Sequence, residues 1–141
     1  MRMDTRKLII DMRSLKRGIN TGEFSLDMNS IKWNIENVQP AEDRGMLRIE
    51  VDLEDTAVLC TGELRAEFKS PCARCLQPAV FPVDEAVERK YTWDPALSGE
   101  DVHLIPASGE LNILDALREA VILSVPGKAL CSPNCPGIDY N

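Results

Sequence analysis

No run of apolar residues in this 141-residue chain approaches the ~18 needed to cross a bilayer, which argues against a helical membrane protein. Histidine is nearly absent: His103 stands alone in a turn-rich stretch, with no Ser or Cys pattern nearby that would pair a nucleophile with a base. There is no GxxxxGK[ST] or GxGxxG loop to cradle phosphates, and no sequence repeat, coiled-coil heptad or low-complexity tract. Positive charge is in deficit, with 16 Lys and Arg against 23 Asp and Glu for a net −7, which discourages a reading as a generic duplex binder. Met1 to Lys7 lead only into the short apolar patch Leu8-Ile9-Ile10, without a cleavage site, so a cytoplasmic location is expected. Hydrophobic residues at 44% and charged residues at 28% are ordinary for a soluble globular chain, and the length favours one domain over residues 1–141.

The charge is unevenly distributed. Residues 1–17 carry Arg2, Arg6, Lys7, Arg13, Lys16 and Arg17 against Asp4 and Asp11, a balance of +4 that leaves −11 on the rest. Such a basic N-terminal arm on an acidic body suits RNA or an acidic partner, or simply a solvated, mobile segment.

One strand is expected near Lys7–Met12, and residues 8–38 are otherwise the least legible part of the chain. From Met46 the pattern sharpens. Leu47, Ile49, Val51 and Leu53 alternate with Arg48, Glu50, Asp52 and Glu54, the period of a strand with one wet face. After a turn at Glu54-Asp55-Thr56, Val58, Cys60, Leu64, Ala66 and Phe68 share one parity, interrupted by Gly62, which marks a bulge or a close backbone approach. These two segments should form a hairpin. A third extended run places Phe81, Val83, Val87, Tyr91 and Trp93 on one parity, with Glu85 and Arg89 as exceptions that need a partner or an open edge. Residues 94–110 read as a loop with at most a short strand at 102–105. Asn112 then caps a helix whose apolar stripe is Ile113, Leu114, Leu117, Ala120 and Val121 and which stops at Pro126-Gly127. The fold class is therefore α+β: an antiparallel β-meander or partly closed barrel covered by a C-terminal helix, followed by a cysteine-bearing tail.

The five cysteines divide into one and four. Cys60 is in phase with Val58 and Leu64, where a free thiol behaves as a small hydrophobe. Cys72-Ala73-Arg74-Cys75 and Cys131-Ser132-Pro133-Asn134-Cys135 lie among turn residues, and two such turns can complete a tetrahedral S4 site suited to Zn²⁺. The 55 residues between Cys75 and Cys131 exceed the ~15–20 of a compact zinc ribbon, so the fold would have to return the tail to the first turn. A reactive dithiol at Cys72/Cys75 and unliganded thiols are the alternatives. The dithiol reading needs a helix start, whereas this pair falls between strands.

Pro71-Cys72-Ala73-Arg74-Cys75-Leu76, the stretch Leu114–Pro126 and the late Cys131-Ser132-Pro133-Asn134-Cys135-Pro136-Gly137-Ile138 together resemble the YceD-like proteins, the large ribosomal RNA subunit accumulation family. The resemblance implies a small bacterial or plastid protein supporting 23S ribosomal RNA processing or accumulation, with no known enzymatic activity. Zinc at Cys72, Cys75, Cys131 and Cys135 is drawn here from the spacing, since some members lack the later cysteines. The resemblance makes ribosomal RNA, a large-subunit ribosomal protein or an assembly factor the expected partner. Arg65, Lys69 and Arg74, with Arg13, Lys16 and Arg17, are the candidate contacts to phosphate oxygens or to that partner. From a different class comes an acidic, zinc-structured module that holds a basic partner, and a thiol-disulfide protein is the third reading.

Overall fold

Leu47, Ile49 and Val51 are fully buried on one face of β5 (Arg44–Leu53), while Arg48 and Glu50 point to water on the other, as a period of two requires. In this computed structural model, which describes residues 1–137, β5 turns through residues 54–56 into β6 (Ala57–Pro71). The turn is closed by the Glu54 N–H donating to the Ala57 carbonyl at 2.9 Å. Pairing is antiparallel, with Leu53 opposite Val58 and Met46 opposite Arg65. β7 (Pro78–Thr92) then pairs along the full length of β6, from Ala57 opposite Thr92 to Pro71 opposite Pro78. The expected hairpin and third strand are both present.

Register runs unbroken through Gly62, which faces Ile49 on one side and Val87 on the other, so there is no bulge at this position. The missing side chain serves the helix instead. A Cβ on Gly62 would stand 3.6 Å from Leu117 Cδ2, so a side chain larger than alanine would push the helix off the sheet.

That helix, α1 (Leu114–Ser124), begins where the Asn112 Oδ1 accepts from the Leu114 N–H at 3.0 Å. Its Leu117 and Val121 are fully buried, with Ala116 and Ala120 nearly so. It ends as Val125 turns extended ahead of Pro126. The two polar exceptions on β7 have different explanations: Arg89 pairs with Glu119 of α1, whereas Glu85 lies exposed.

The N-terminal third is where the structure differs most from expectation. β1 (Arg2–Asp4) and β2 (Ile9–Asp11) form a small antiparallel sheet with β9 (Glu110–Asn112), in the order β1-β2-β9. Leu8 and Ile10 are completely buried in the main core. The basic segment is thus a folded wall of the molecule and not an arm; two apolar anchors hold it in place. β3 (Gly18–Asp27), a ten-residue strand beside β5, was not legible from alternation. Its inner face carries Asn20, whose amide donates to the carbonyls of Lys16 (2.7 Å), Gly18 (3.1 Å) and Val51 (3.2 Å). It also carries Gly22, which leaves room for the Phe24 ring and the Met1 methyl. A polar residue and a glycine on the buried parity hide a strand from any hydrophobic pattern.

The larger sheet has the order β3-β5-β6-β7-β8, where β8 (Val102–Leu104) runs parallel to β7. Short β4 (Gln39–Pro40) pairs Lys69 and Phe68 on the edge of β6 that β5 has vacated. Neither sheet closes on itself, so of the two expected forms the open meander is the one adopted, within the α+β class. The core lies between the sheet face, α1 and the small sheet, and extends to an aromatic group in which Trp33 meets Phe68 edge-on at 5.3 Å and Phe68 stacks on Phe81 at 6.3 Å.

Leu117→Asp would place a carboxylate with no partner over Gly62. A loss of about 4 kcal/mol or more, or failure to fold, is expected in urea titrations followed by tryptophan fluorescence; a parent-like midpoint would refute this packing.

Candidate metal centre

β6 and β7 run on together beyond the last residue that β5 pairs, so their connecting turn is carried past the end of the main core. Residues 72–77 make that turn. The Cys72 N–H donates to the Gln77 carbonyl at 2.7 Å and the Leu76 N–H to the Cys72 carbonyl at 3.0 Å. Leu76 takes a left-handed backbone, φ 65°, a position that usually goes to glycine.

After α1 the chain returns to this tip. The Ala73 N–H donates to the Ala129 carbonyl at 2.6 Å, and the Arg74 guanidinium donates to the Cys135 carbonyl at 2.8 Å. A second tight turn has the Cys135 N–H on the Ser132 carbonyl at 3.2 Å. Gly137, φ 96°, passes close to the Arg74 carbonyl. Ile138 lies outside the described residues.

The sulfurs of Cys72, Cys75, Cys131 and Cys135 all lie within 4.8 Å of one another. Two of the contacts join the two turns: 3.7 Å from Cys72 to Cys135 and 3.5 Å from Cys75 to Cys131. A tetrahedral set of thiolates ~2.3 Å from a central ion has its sulfurs about 3.8 Å apart, so the donor set and its spacing fit a thiophilic metal ion. All five cysteines are free thiols. Cys72 and Cys135 are buried, Cys75 half-buried and Cys131 exposed; Cys60 sits apart in the main core, as expected of a small hydrophobe.

The electrostatics of the four are unequal. Burial pushes the Cys72 thiol up, but the N–H groups of Cys131, Cys75 and Arg74 together outweigh it and bring it down to about 6. The Cys131 thiol is held protonated by its hydrogen bonds toward the Cys135 and Cys75 sulfurs, which with burial push it up to about 12. One sulfur is therefore prepared as a thiolate by backbone donors, while Cys75 and Cys131 are pushed up and resist a second negative charge unless a cation joins them. Burial alone takes Cys60 to about 12, as befits an inert thiol.

The six candidate basic residues do not gather at this centre. Arg74 is there, bound to the tail's backbone. Lys69 lies three residues before Cys72 on β6, opposite Val80, and Arg65 is held by Glu63 (3.0 Å) and Asp84 (3.3 Å). Arg17 pairs with Asp55 at the other end of β6, which at ~3.3 Å per residue over 15 residues is roughly 45 Å away. Arg13 pairs with Asp11 at 3.2 Å, beside the small sheet, and Lys16 is exposed. What the sequence did not disclose is the backbone stitching by Ala129 and Arg74, because main-chain carbonyls leave no signature in residue types.

An α+β chain whose C-terminal tail meets a hairpin tip at four clustered thiols carries a donor set compatible with a metal ion. The chain belongs to the family described as large ribosomal RNA subunit accumulation protein YceD, whose family model matches residues 60–140. That stretch contains most of β6, with β7, α1 and both cysteine pairs. Uncharacterized proteins of Mycobacterium bovis and of two Mycobacterium tuberculosis strains are 27% identical over 97 residues, covering 65% of this chain and 46% of theirs. The chain thus spans less than half the length of the curated relatives it matches. No solved structure matches it.

Cys135→Ser should loosen residues 126–137 and the 72–77 turn while leaving β3–β7 intact, read as faster amide exchange confined to those segments. Exchange that accelerates equally across the main sheet would show that the centre is not a separate unit.

Proposed function

We propose that this protein is a non-enzymatic factor in biogenesis of the large ribosomal subunit, supporting 23S ribosomal RNA processing or accumulation in the cytoplasm. A structural Zn²⁺ on Cys72, Cys75, Cys131 and Cys135 holds its tail in place. The observation that carries the reading is the family match over the half of the chain that contains all four converging sulfurs. Zinc is favoured by the all-thiolate, tetrahedrally spaced donor set. When bound, the ion supplies cross-linking and charge neutralisation, and the residues around it supply position: Arg74 and Ala129 fix the tail, and the Cys72 turn fixes two sulfurs. A thiol-disulfide activity is disfavoured, because the Cys72/Cys75 pair lies between two strands and does not start a helix, and both its sulfurs also contact sulfurs of the second turn. Residues 1–141 are taken as one domain, since Leu8 and Ile10 share a core with Leu117 and Val121.

For contact with ribosomal RNA, Arg65, Lys69 and Arg74 on the distal half of the β6–β7 hairpin are the leading residues, with Arg13, Lys16 and Arg17 as a second, separate group. A specific observation also favours the alternative, a holder for a basic ribosomal protein or assembly factor. The uncovered face of the larger sheet projects Glu23, Glu50, Asp52, Glu63, Asp84 and Glu88, and charge of that sign speeds encounter with a basic partner.

Cells lacking the protein should show a lowered ratio of mature 23S to 16S ribosomal RNA; an unchanged ratio would remove the ribosomal assignment. If RNA contact is direct, charge reversal at Arg65 and Lys69 should weaken binding across RNA sequences and reduce its salt slope by about two, with Arg74 reversed separately because it also holds the tail. Unaltered RNA affinity, together with capture of a basic ribosomal protein, would establish the holder reading instead.

The purified protein should contain about one zinc per chain. Structural zinc contributes ~10–16 kcal/mol of apparent binding energy in peptides that fold around it. Here the sheet has its own core, so chelation should release the tail and leave strand circular dichroism nearly unchanged.

A further inference from the structure

Beside the cysteine turn, where β4 lies against β6, a recess of about 200 Å³ opens to solvent. Its polar lining is Asn37, Gln39, Lys69 and Ser70, and its apolar wall includes Leu76 and Pro78; no carboxylate lines it. Ser70 is only 8% exposed, and its hydroxyl oxygen is buried with no hydrogen-bond partner among the described residues. Buried hydroxyls are normally partnered, so an orphan in the wall of a recess points to a ligand. Lys69 enters none of the ion pairs found among the described residues, in contrast to Arg65 on the same strand.

The recess is built before any ligand arrives. Asn37 and Leu76, which both line it, hold left-handed backbones, φ 61° and 65°. The first is fixed by the Ile35–Val38 bridge and the second by the Cys72 turn.

One ammonium, one hydroxyl and two primary amides, with no carboxylate, make a donor-rich and positively biased lining, and this complements a tetrahedral oxyanion. The volume is below the ~300–1,000 Å³ of clefts that enclose a drug-sized ligand, so it admits one chemical group with little attached. We propose that this recess binds the phosphate of a phosphate ester, with Lys69 as the charge partner, the Ser70 hydroxyl as an inner donor and the amides of Asn37 and Gln39 at the mouth. The phosphate comes from a free nucleotide or from an RNA chain. The site stands without the ribosomal reading, since phosphate binding and the 23S phenotype are measured apart.

The test is a titration of the zinc-loaded, isotope-labelled protein, read by amide chemical shifts, with inorganic phosphate, a 5′-mononucleotide and a short unstructured oligoribonucleotide in turn. Shifts should centre on residues 37–40, 69–71 and 76–78 in all three series. Lys69→Gln should weaken binding about tenfold, or ~1.4 kcal/mol, and Ser70→Ala should weaken it by a smaller factor. Lys90→Gln, on the same sheet face near the other end of β7, should leave binding within about twofold. Tighter binding of the oligoribonucleotide than of the mononucleotide assigns the source to an RNA chain; equal binding assigns it to a free nucleotide. No shifts at millimolar phosphate, or equal losses in Lys69→Gln and Lys90→Gln, would overturn the site.

Discussion

The continuous pairing of β6 with β7 is the constraint on which the rest of this molecule depends. Its inner face supplies Val58, Leu64, Phe68, Phe81 and Val83 to the core, and its glycine at position 62 gives α1 a seat. Because the hairpin is longer than β5, its tip has no neighbouring strand except short β4. The turn at residues 72–77 therefore projects beyond the main core, where only the chain returning from α1 can meet it.

That projection explains the cysteines. Around the tip, the buried cluster consists of Cys72, Ala79, Ala129 and Cys135, with Cys75 and Leu130 packed against it. Two alanines and a few sulfurs remove too little apolar surface from water to offset the ordering of a dozen tail residues, at ~1–2 kcal/mol of backbone entropy each. A four-thiolate metal site would make up that deficit in one contact, and the Arg74 and Ala129 hydrogen bonds then choose the tail's direction. The main sheet needs no such support, having Leu8, Ile10, Leu47, Ile49, Leu64 and Leu117 fully buried in one cluster.

Charge is organised by the same strands. On the open sheet face Glu23 bonds Arg48 at 2.9 Å, Arg48 sits opposite Glu63, and Arg65 links Glu63 to Asp84, forming a ladder across four strands. Within such a ladder an arginine is already matched, and phosphate would have to compete with two carboxylates for Arg65. Lys69, past the end of β5, has left the ladder behind. Lys69, in no ion pair among the described residues, and the orphaned Ser70 hydroxyl therefore occur together at the end of the sheet that also carries the four thiols.

Residue types and their spacing determined the strands and helix wherever burial follows a single period: Leu47 to Val51, Val58 to Phe68, Phe81 to Tyr91, and the Leu117–Val121 stripe. They also determined which four cysteines could act together and that Cys60 would not, since parity assigns Cys60 to an apolar face and turn residues surround the others. The spacing could not show that Cys131 and Cys135 would return to the Cys72 turn across 55 residues, because that proximity depends on where α1 lies on the sheet. Nor could it show β3, whose buried face carries Asn20 and Gly22, or the seating of the basic N-terminal segment by Leu8 and Ile10 against a strand a hundred residues away. The matching of Arg65 by carboxylates on two strands, near a Lys69 that enters no ion pair among the described residues, follows from strand register and from where β5 stops. Those facts were decided by tertiary structure, because hydrogen-bond pairing between distant segments has no periodicity within either one.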